Sequence, residues 1–305
     1  MPPDTFFSGA PHWTWFIIPY FFVGGLSGGA YFLAALLEWF GRPDDRPVIR
    51  TGYRIAAVGA IVSGALLTVD LGRPLRFWHM LFQSANFPAI MFKGWSPISF
   101  GAWAILQFGL FAVLSALGAM AEEGRLQNAT LRAVGGAVRG GVAKAVAGLG
   151  GLAGFFVAGY TGVLLSVTNR PIWADSPWLG ALFVASGAST GAAALILLAP
   201  ARGATEQSLA RLSAFDTKAL VVELLVLVLF VASLGSVNRV WIGFWGLVLL
   251  VGVVGLGIVA PLRLHLQRRP LASAAKLVLL GGFLLRVATI LASEGIERYR
   301  VAAGM

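Results

Sequence analysis

Apolar residues along this chain gather into runs of about twenty or more, parted by short stretches rich in Gly, Pro and Arg. A helix rises about 1.5 Å per residue, so runs of that length match a hydrocarbon core ~30 Å thick. The pattern predicts eight membrane-crossing helices near 13–40, 51–70, 97–120, 147–168, 177–200, 215–234, 242–261 and 274–293. Gly41, Pro43 and Pro47 punctuate the first gap, and Gly72 with Pro74 close the second helix. Strand-type alternation is nearly absent, which argues against a β-barrel. The expected fold is an all-α integral membrane protein, with residues 1–305 forming one transmembrane domain. Residues 121–146 break the pattern: Arg125, Arg132, Arg139 and Lys144 alternate with Leu126, Leu131, Val134 and Val138. That spacing suits a helix lying on the membrane surface, with a flexible Gly-rich linker as the alternative. The first thirteen residues carry no Lys or Arg, and no polar cleavage region follows the first apolar run, so it reads as a retained span.

Composition sharpens this picture. Residues are 58% hydrophobic and 12% charged, with a mean hydropathy of +0.81. Soluble domains carry about a quarter charged residues, so a soluble globular fold is excluded. The 39 glycines provide small surfaces on which helices can approach in lipid. With no cysteine, the protein can hold no disulfide, no thiolate-bound iron–sulfur cluster and no Cys nucleophile of its own.

Charge orients the helices. Fifteen Lys and Arg fall in or beside the loops after helices one, three, five and seven: Arg42, Arg46, Arg50, Arg54, Arg125, Arg132, Arg139, Lys144, Arg202, Arg211, Lys218, Arg263, Arg268, Arg269 and Lys276. Seven fall on the other side: Arg73, Arg76, Lys93, Arg170, Arg239, Arg298 and Arg300. The positive-inside rule then places the odd-numbered loops in the cytoplasm and both termini outside. The net charge of +10 reads as attraction to anionic lipid rather than to nucleic acid. Trp13, Trp15, Trp78, Trp95, Trp173, Trp178, Trp241 and Trp245 gather at the predicted outer face, while only Trp39 lies near the inner one. A plain aromatic belt populates both interfaces, so the imbalance suggests a pocket rim or docking surface outside.

Few charges fall within the spans, and each is informative because burial in lipid is costly. Asp70 ends helix two, followed by Arg73 and Arg76. This arrangement can accept a proton from a substrate beside a positive wall, or simply form a helix-ending Asp70–Arg73 salt bridge. Tyr20 and Tyr160 lie about two turns below the outer surface, where a phenol can bond a ring carbonyl or a backbone group. His12 and Trp15, at the start of helix one, are candidates for the same pocket, against readings as interfacial anchor and belt residue. Glu223 and Arg286 fall near mid-membrane, either as a compensating ion pair or as part of a proton path that Asp216 would enter. The three histidines, His12, His79 and His265, sit at helix ends or in loops, so no haem is expected. Lys218 and Lys276 lie near span ends, which argues against a retinal protein. No metal site is expected.

The motifs, taken together, resemble the NrfD/PsrC family, quinone-reactive membrane subunits of respiratory enzymes. The resemblance is carried by His12-Trp13-Thr14-Trp15 with Tyr20 to Ala30, by Asp70-Leu71-Gly72-Arg73-Pro74 with Arg76-Phe77-Trp78, by Gly94 to Trp103, by Gly159 to Ser166, and by Pro171-Ile172-Trp173. It covers about the first 190 residues. It implies two four-helix bundles and a menaquinone or ubiquinone substrate held near Tyr20, Trp15, Asp70, Arg73, Tyr160 and His12, with Asp70 and Tyr160 handling protons. It also implies an iron–sulfur subunit and a molybdopterin or multihaem catalytic subunit on the outer face, with Arg76, Trp78 and Arg170 as docking candidates. Where the polysulfide-reductase branch offers Asn and His from helix one, this sequence has Ile17 and Tyr20. A secondary transporter and a structural anchor without quinone chemistry remain the alternatives.

Overall fold

The computed structural model describes Trp13, residues 15–267 and residues 271–302, leaving out the side chains at 294, 295 and 297–302. His12, Thr14, Arg268 and Arg269 therefore lie outside the described residues, as do the side chains of Arg298 and Arg300. Among the described residues the regular elements are helical, with one isolated antiparallel bridge between Phe82 and Ile90.

Nine helices organise the described residues: α1 (Ile17–Phe40), α2 (Arg46–Asp70), α3 (Pro97–Glu122), α4 (Ala129–Ala137), α5 (Gly140–Ser166), α6 (Leu179–Leu198), α7 (Glu206–Ser233), α8 (Phe244–Leu266) and α9 (Leu271–Ala302). Seven of them are long and apolar enough to cross a membrane, and α7 with the following turn Gly235–Trp241 gives an eighth, bent by 114°. Gly235 makes this bend with a positive φ of 55°.

Several boundaries differ from the hydropathy pattern, for local reasons. Helix α1 starts at Ile17 rather than 13, with Pro19 in its first turn, where a missing N–H costs little. Helix α2 begins at Arg46 rather than 51, because Arg46 and Arg50 reach acidic partners on α3. Helix α7 begins at Glu206 rather than 215, capped by Thr205 Oγ1, which accepts from the Ser208 N–H at 3.2 Å. Within α8, residues Val248–Val259 wind as a π-helix, and Pro261 just beyond it has no N–H to donate. Residues 129–137, in the segment expected to lie on the membrane or to be a linker, form α4, capped by Asn128.

Helix α1 is the spine. It packs on α2 and α5, and α3 closes that group into a first bundle; α1 also packs on α6, which holds α7 and α9, with α8 against α9. Backbones touch at the spine because the facing residues are glycines. A Cβ at Gly28 would stand 2.3 Å from the Gly154 carbonyl oxygen of α5, and one at Gly29 would stand 2.0 Å from the Gly187 carbonyl oxygen of α6. Helix association in lipid gains little from a hydrophobic drive, so this close van der Waals fit is its main source.

The two ends of the bundle differ chemically. At the arginine-rich end Arg46 bridges Glu38 of α1 and Glu122 of α3, Arg50 pairs with Glu122 at 3.1 Å, and Arg54 pairs with Glu123. Asp45, buried there, accepts from Ser208 at 2.6 Å and from Arg211, which ties the start of α2 to α7. The opposite, tryptophan-rich end carries the loops of residues 71–96, 167–178 and 234–243.

The spine gives a direct prediction. Gly29→Val forces a side chain into the α6 backbone and lowers stability by more than about 3 kcal/mol, beyond ordinary core overpacking. Size-exclusion profiles and thermal unfolding in detergent will read this as loss of the monodisperse species. Gly141→Val, where a Cβ meets nothing within 4 Å, leaves both unchanged.

Candidate functional site

Among the described residues, two polar sites are buried between the helices. The first lies toward the tryptophan-rich end of the first bundle. Tyr20 is buried on α1, and its hydroxyl makes no hydrogen bond to a described residue. The ring sits one turn from Gly24, whose bare Cα faces Ser63 of α2 and Val157 of α5: a Cβ there would lie 3.7 Å from Ser63 Oγ and 3.9 Å from Val157. Ser63 Oγ is itself buried without a hydrogen-bond partner among the described residues. A buried hydroxyl left unpaired is costly, so Ser63 beside the Tyr20 ring favours a molecule that brings a carbonyl or hydroxyl oxygen there.

Tyr160 of α5 faces the same region, near enough to Tyr20 for the two phenols to interact electrostatically. Its hydroxyl donates to the Pro97 carbonyl of α3 at 2.6 Å, its ring stacks on Phe156 at 5.5 Å, and it fills the space above Gly101, where a Cβ would stand 2.1 Å from the phenol oxygen. The Tyr160 proton is therefore committed to the backbone, and only lone pairs remain for a ligand. Asp70 stands seven residues beyond Ser63, on the same face of α2 and about 10 Å nearer the end. It is partly exposed and forms no ion pair among the described residues, so the expected Asp70–Arg73 salt bridge is not made. Arg73 and Arg76 are both exposed, and Trp78 is half-buried against His79 and Phe87.

Two expectations need correction here. Trp15 is 63% exposed and is not turned into the bundle; Trp13 turns inward instead, stacking on the buried Trp173 at 5.6 Å. Arg170 is 1% exposed, lying against the Trp173 ring at 5.3 Å, so it presents no guanidinium for docking. Its loop is anchored by Trp173 Nε1, which donates to the Thr289 carbonyl at 2.8 Å. Ile172 holds a positive φ of 71°, an unfavourable conformation for a β-branched residue, with its N–H bound to Asp175 at 2.9 Å.

The second site is a column of polar groups through the second bundle. Arg286, fully buried on α9, donates to Ser186 Oγ of α6, to the Gly282 carbonyl at 2.9 Å and to the Phe183 carbonyl at 3.4 Å; its guanidinium also lies 4.9 Å from the Phe183 ring. Gly25 of α1 leaves the room: a Cβ there would press on Arg286 Nη2 at 3.1 Å. Glu223 of α7 accepts from Ser189 Oγ at 2.7 Å. The expected direct ion pair of Glu223 with Arg286 is not formed, because serines of α6 stand between the two charges. Seven residues before Glu223, on the same face of α7, Asp216 pairs with His265 Nε2 at 2.9 Å, and His265 Nδ1 contacts Ser213 at 2.8 Å. Asp216 Oδ1 and Arg286 Nε in this column, and Ser293 Oγ two turns beyond Arg286 on α9, are buried without a hydrogen-bond partner among the described residues. His265 lies at the end of α8, as its sequence position indicates, but the sequence alone assigns it no role. Its partner is 49 residues away, and the only signal was that both fall at the same predicted depth.

A family model described as "Polysulphide reductase, NrfD" matches residues 5–295. The chain belongs to this family. It is therefore an integral membrane protein of the NrfD and polysulfide-reductase C-subunit type. Among its relatives, the Protein NrfD homolog of Haemophilus influenzae is 27% identical over 306 residues, covering 92% of this chain and 94% of the relative. The C subunit of polysulfide reductase from Wolinella succinogenes is 28% identical over 274 residues, covering 83% and 82%. Protein NrfD of Escherichia coli is 30% identical over 268 residues, covering 83% of each. The matched span includes α7, α8 and most of α9, where the sequence motifs give only hydropathy and helix number.

The serine-bridged column predicts an asymmetry. Arg286→Leu strands the Glu223 carboxylate and costs about 3–5 kcal/mol. Adding Glu223→Gln recovers most of that loss. The swap Glu223→Arg with Arg286→Glu does not, because the serines of α6 are placed for a guanidinium on α9. Unfolding titrations in mixed micelles will rank the variants.

Proposed function

We propose that this chain is the quinone-reactive membrane subunit of a respiratory oxidoreductase, with the substrate ring held in the crevice of Tyr20, Ser63 and Tyr160. The observation that carries the reading is the buried Ser63 hydroxyl, which has no hydrogen-bond partner among the described residues and lies with the Tyr20 ring beside Gly24. A quinone offers two carbonyl oxygens on a flat apolar ring, which matches two hydroxyl donors in an aromatic setting. A relative that is the C subunit of a reductase supports placing this protein in a multi-subunit complex.

Oxidising a quinol to a quinone yields two electrons and two protons, and reduction reverses this. In our reading the Tyr20 hydroxyl orients the ring through one oxygen. The Asp70 carboxylate, partly exposed and free of ion pairs to the described residues, accepts or returns protons, and Arg73 beside it stabilises the anion. The electrons pass to or from an iron–sulfur subunit docked on the tryptophan-rich end, which faces outward by the positive-inside rule in the cytoplasmic membrane. That end has an exposed apolar surface suited to a partner, with Leu75 at 90% and Ile242 at 84% exposure, beside Arg73 and Arg76. A catalytic subunit then completes the complex.

The column in the second bundle is the proposed proton path. His265 and Asp216 form its entrance at the arginine-rich end, and Glu223, Ser189, Ser186 and Arg286 continue it toward mid-membrane. The three unpartnered atoms mark where water would have to stand, since buried polar groups are normally satisfied.

The test uses the purified complex with its partner subunits. Asp70→Asn lowers quinone-dependent turnover by about a hundredfold, within the usual range for an acid–base group. Tyr20→Phe raises KM about tenfold, as the loss of one hydrogen bond would. Absence of quinone-dependent turnover in the wild-type complex, or full turnover in Asp70→Asn, overturns this reading.

A further inference from the structure

We propose that the groove between α3 and α5 is a membrane-facing port that binds the ring of a prenylated quinone at mid-bilayer depth, before it enters the Tyr20–Tyr160 crevice. This rests on the quinone reading above and adds a second place where that substrate is held.

The groove encloses about 420 Å³, within the range of small-molecule pockets. On α3, Phe100, Trp103, Gln107 and Phe111 recur at helical spacing and so share one face, and Phe156 stands on the α5 wall opposite. Leu149 and Leu152 of that wall are exposed, so the groove opens sideways from the bundle, where hydrocarbon would lie.

Gln107 is the feature that asks for a ligand. It is the eleventh residue of the 26-residue α3, about 15 Å from its start and thus close to the midplane. Its side chain is exposed and makes no hydrogen bond to a described residue. A bare amide facing lipid chains is costly, because the chains offer it no partner. The Trp103 N–H is already committed to the Met91 carbonyl at 2.9 Å, leaving Gln107 as the polar side chain available in the groove.

The ligand this selects is flat, apolar and equipped with an oxygen acceptor at mid-depth. Phospholipid carries its ester oxygens at the interface, about 15 Å away, and presents only methylene groups here. A prenylated quinone fits: a carbonyl accepts from the Gln107 amide, the ring lies on Trp103, and the tail stays in the bilayer. From there an aromatic wall leads onward. Phe100 packs on Phe156 at 5.6 Å, and Phe156 stacks on Tyr160 at 5.5 Å. The step from Gln107 to Phe100 is seven residues, about 10 Å along α3.

The test compares the wild-type complex with Gln107→Leu and Gln107→Met in nanodiscs, with the second variant guarding against a fold defect in the first. Each is given a long-tailed quinol for kinetics and an arylazido-decylquinone for photolabelling, with labelled residues mapped by mass spectrometry. We expect wild-type labels in 103–111 and 149–156 as well as beside Tyr20. Both variants should lose the mid-membrane labels and show a KM raised roughly tenfold at unchanged kcat. Labels confined to the Tyr20–Tyr160 crevice, with normal KM in both variants, overturn the port and leave the crevice reading intact. A partner helix that covers the groove and blocks labelling overturns the port equally. Absence of any label together with absence of quinone-dependent turnover in the wild type overturns both.

Discussion

The structure depends on how closely α1 can approach its neighbours. In lipid, apolar side chains gain little by leaving the solvent, so helices are held by contact and by hydrogen bonds. The segment Gly24-Gly25-Leu26-Ser27-Gly28-Gly29 makes that contact possible on several faces at once. Gly28 meets the α5 backbone and Gly29 the α6 backbone, so the two halves of the molecule share one helix. The same segment shapes both polar sites. Gly24 lies beside the Tyr20 ring and Ser63, and Gly25 clears the space for the Arg286 guanidinium. A side chain at Gly28 or Gly29 would collide with a neighbouring backbone, and one at Gly25 would press on the Arg286 guanidinium.

Given that spine, the burial of charge becomes tolerable. Arg286 is surrounded by acceptors and an aromatic face rather than by a carboxylate in contact. Glu223 is served by Ser189, and serines of α6 lie between the two. Spreading the compensation across hydroxyls leaves each charge with partners that can reorient, which a direct pair would not. At the arginine-rich end the logic differs: Arg46, Arg50 and Arg54 lock α1, α2 and α3 with direct, partly solvated ion pairs. One end is clamped by charge. The other carries loops, exposed aromatics and the proposed substrate crevice.

Much of this was legible in the residues. The apolar runs located the helices, because run length and bilayer thickness set each other. Tyr20 and Tyr160 were placed at a common depth and do face one region, since rise per residue is fixed. Asp70 and Arg73 did not pair, and Glu223 and Arg286 did not touch, because depth alone gives no azimuth around a helix. Azimuth depends on partners far away in sequence, which is also why the pairing of His265 with Asp216 was missed. Trp15 and Trp13 differ by less than one turn, and only the contact with Trp173 decides which of them turns inward. Gln107 leaves no mark on the pattern, because a single amide in a long apolar run barely changes hydropathy.

The central claim is that a quinone ring is held between α1, α2 and α5. Its most direct test is an electron-cryomicroscopy map of the intact complex bound to a quinol-analogue inhibitor such as an alkyl-hydroxyquinoline N-oxide. The account predicts ring density within hydrogen-bonding distance of the Tyr20 hydroxyl, lying against Gly24 and Ser63. A ring bound in the second bundle, with the crevice at Tyr20 filled by protein, would contradict it.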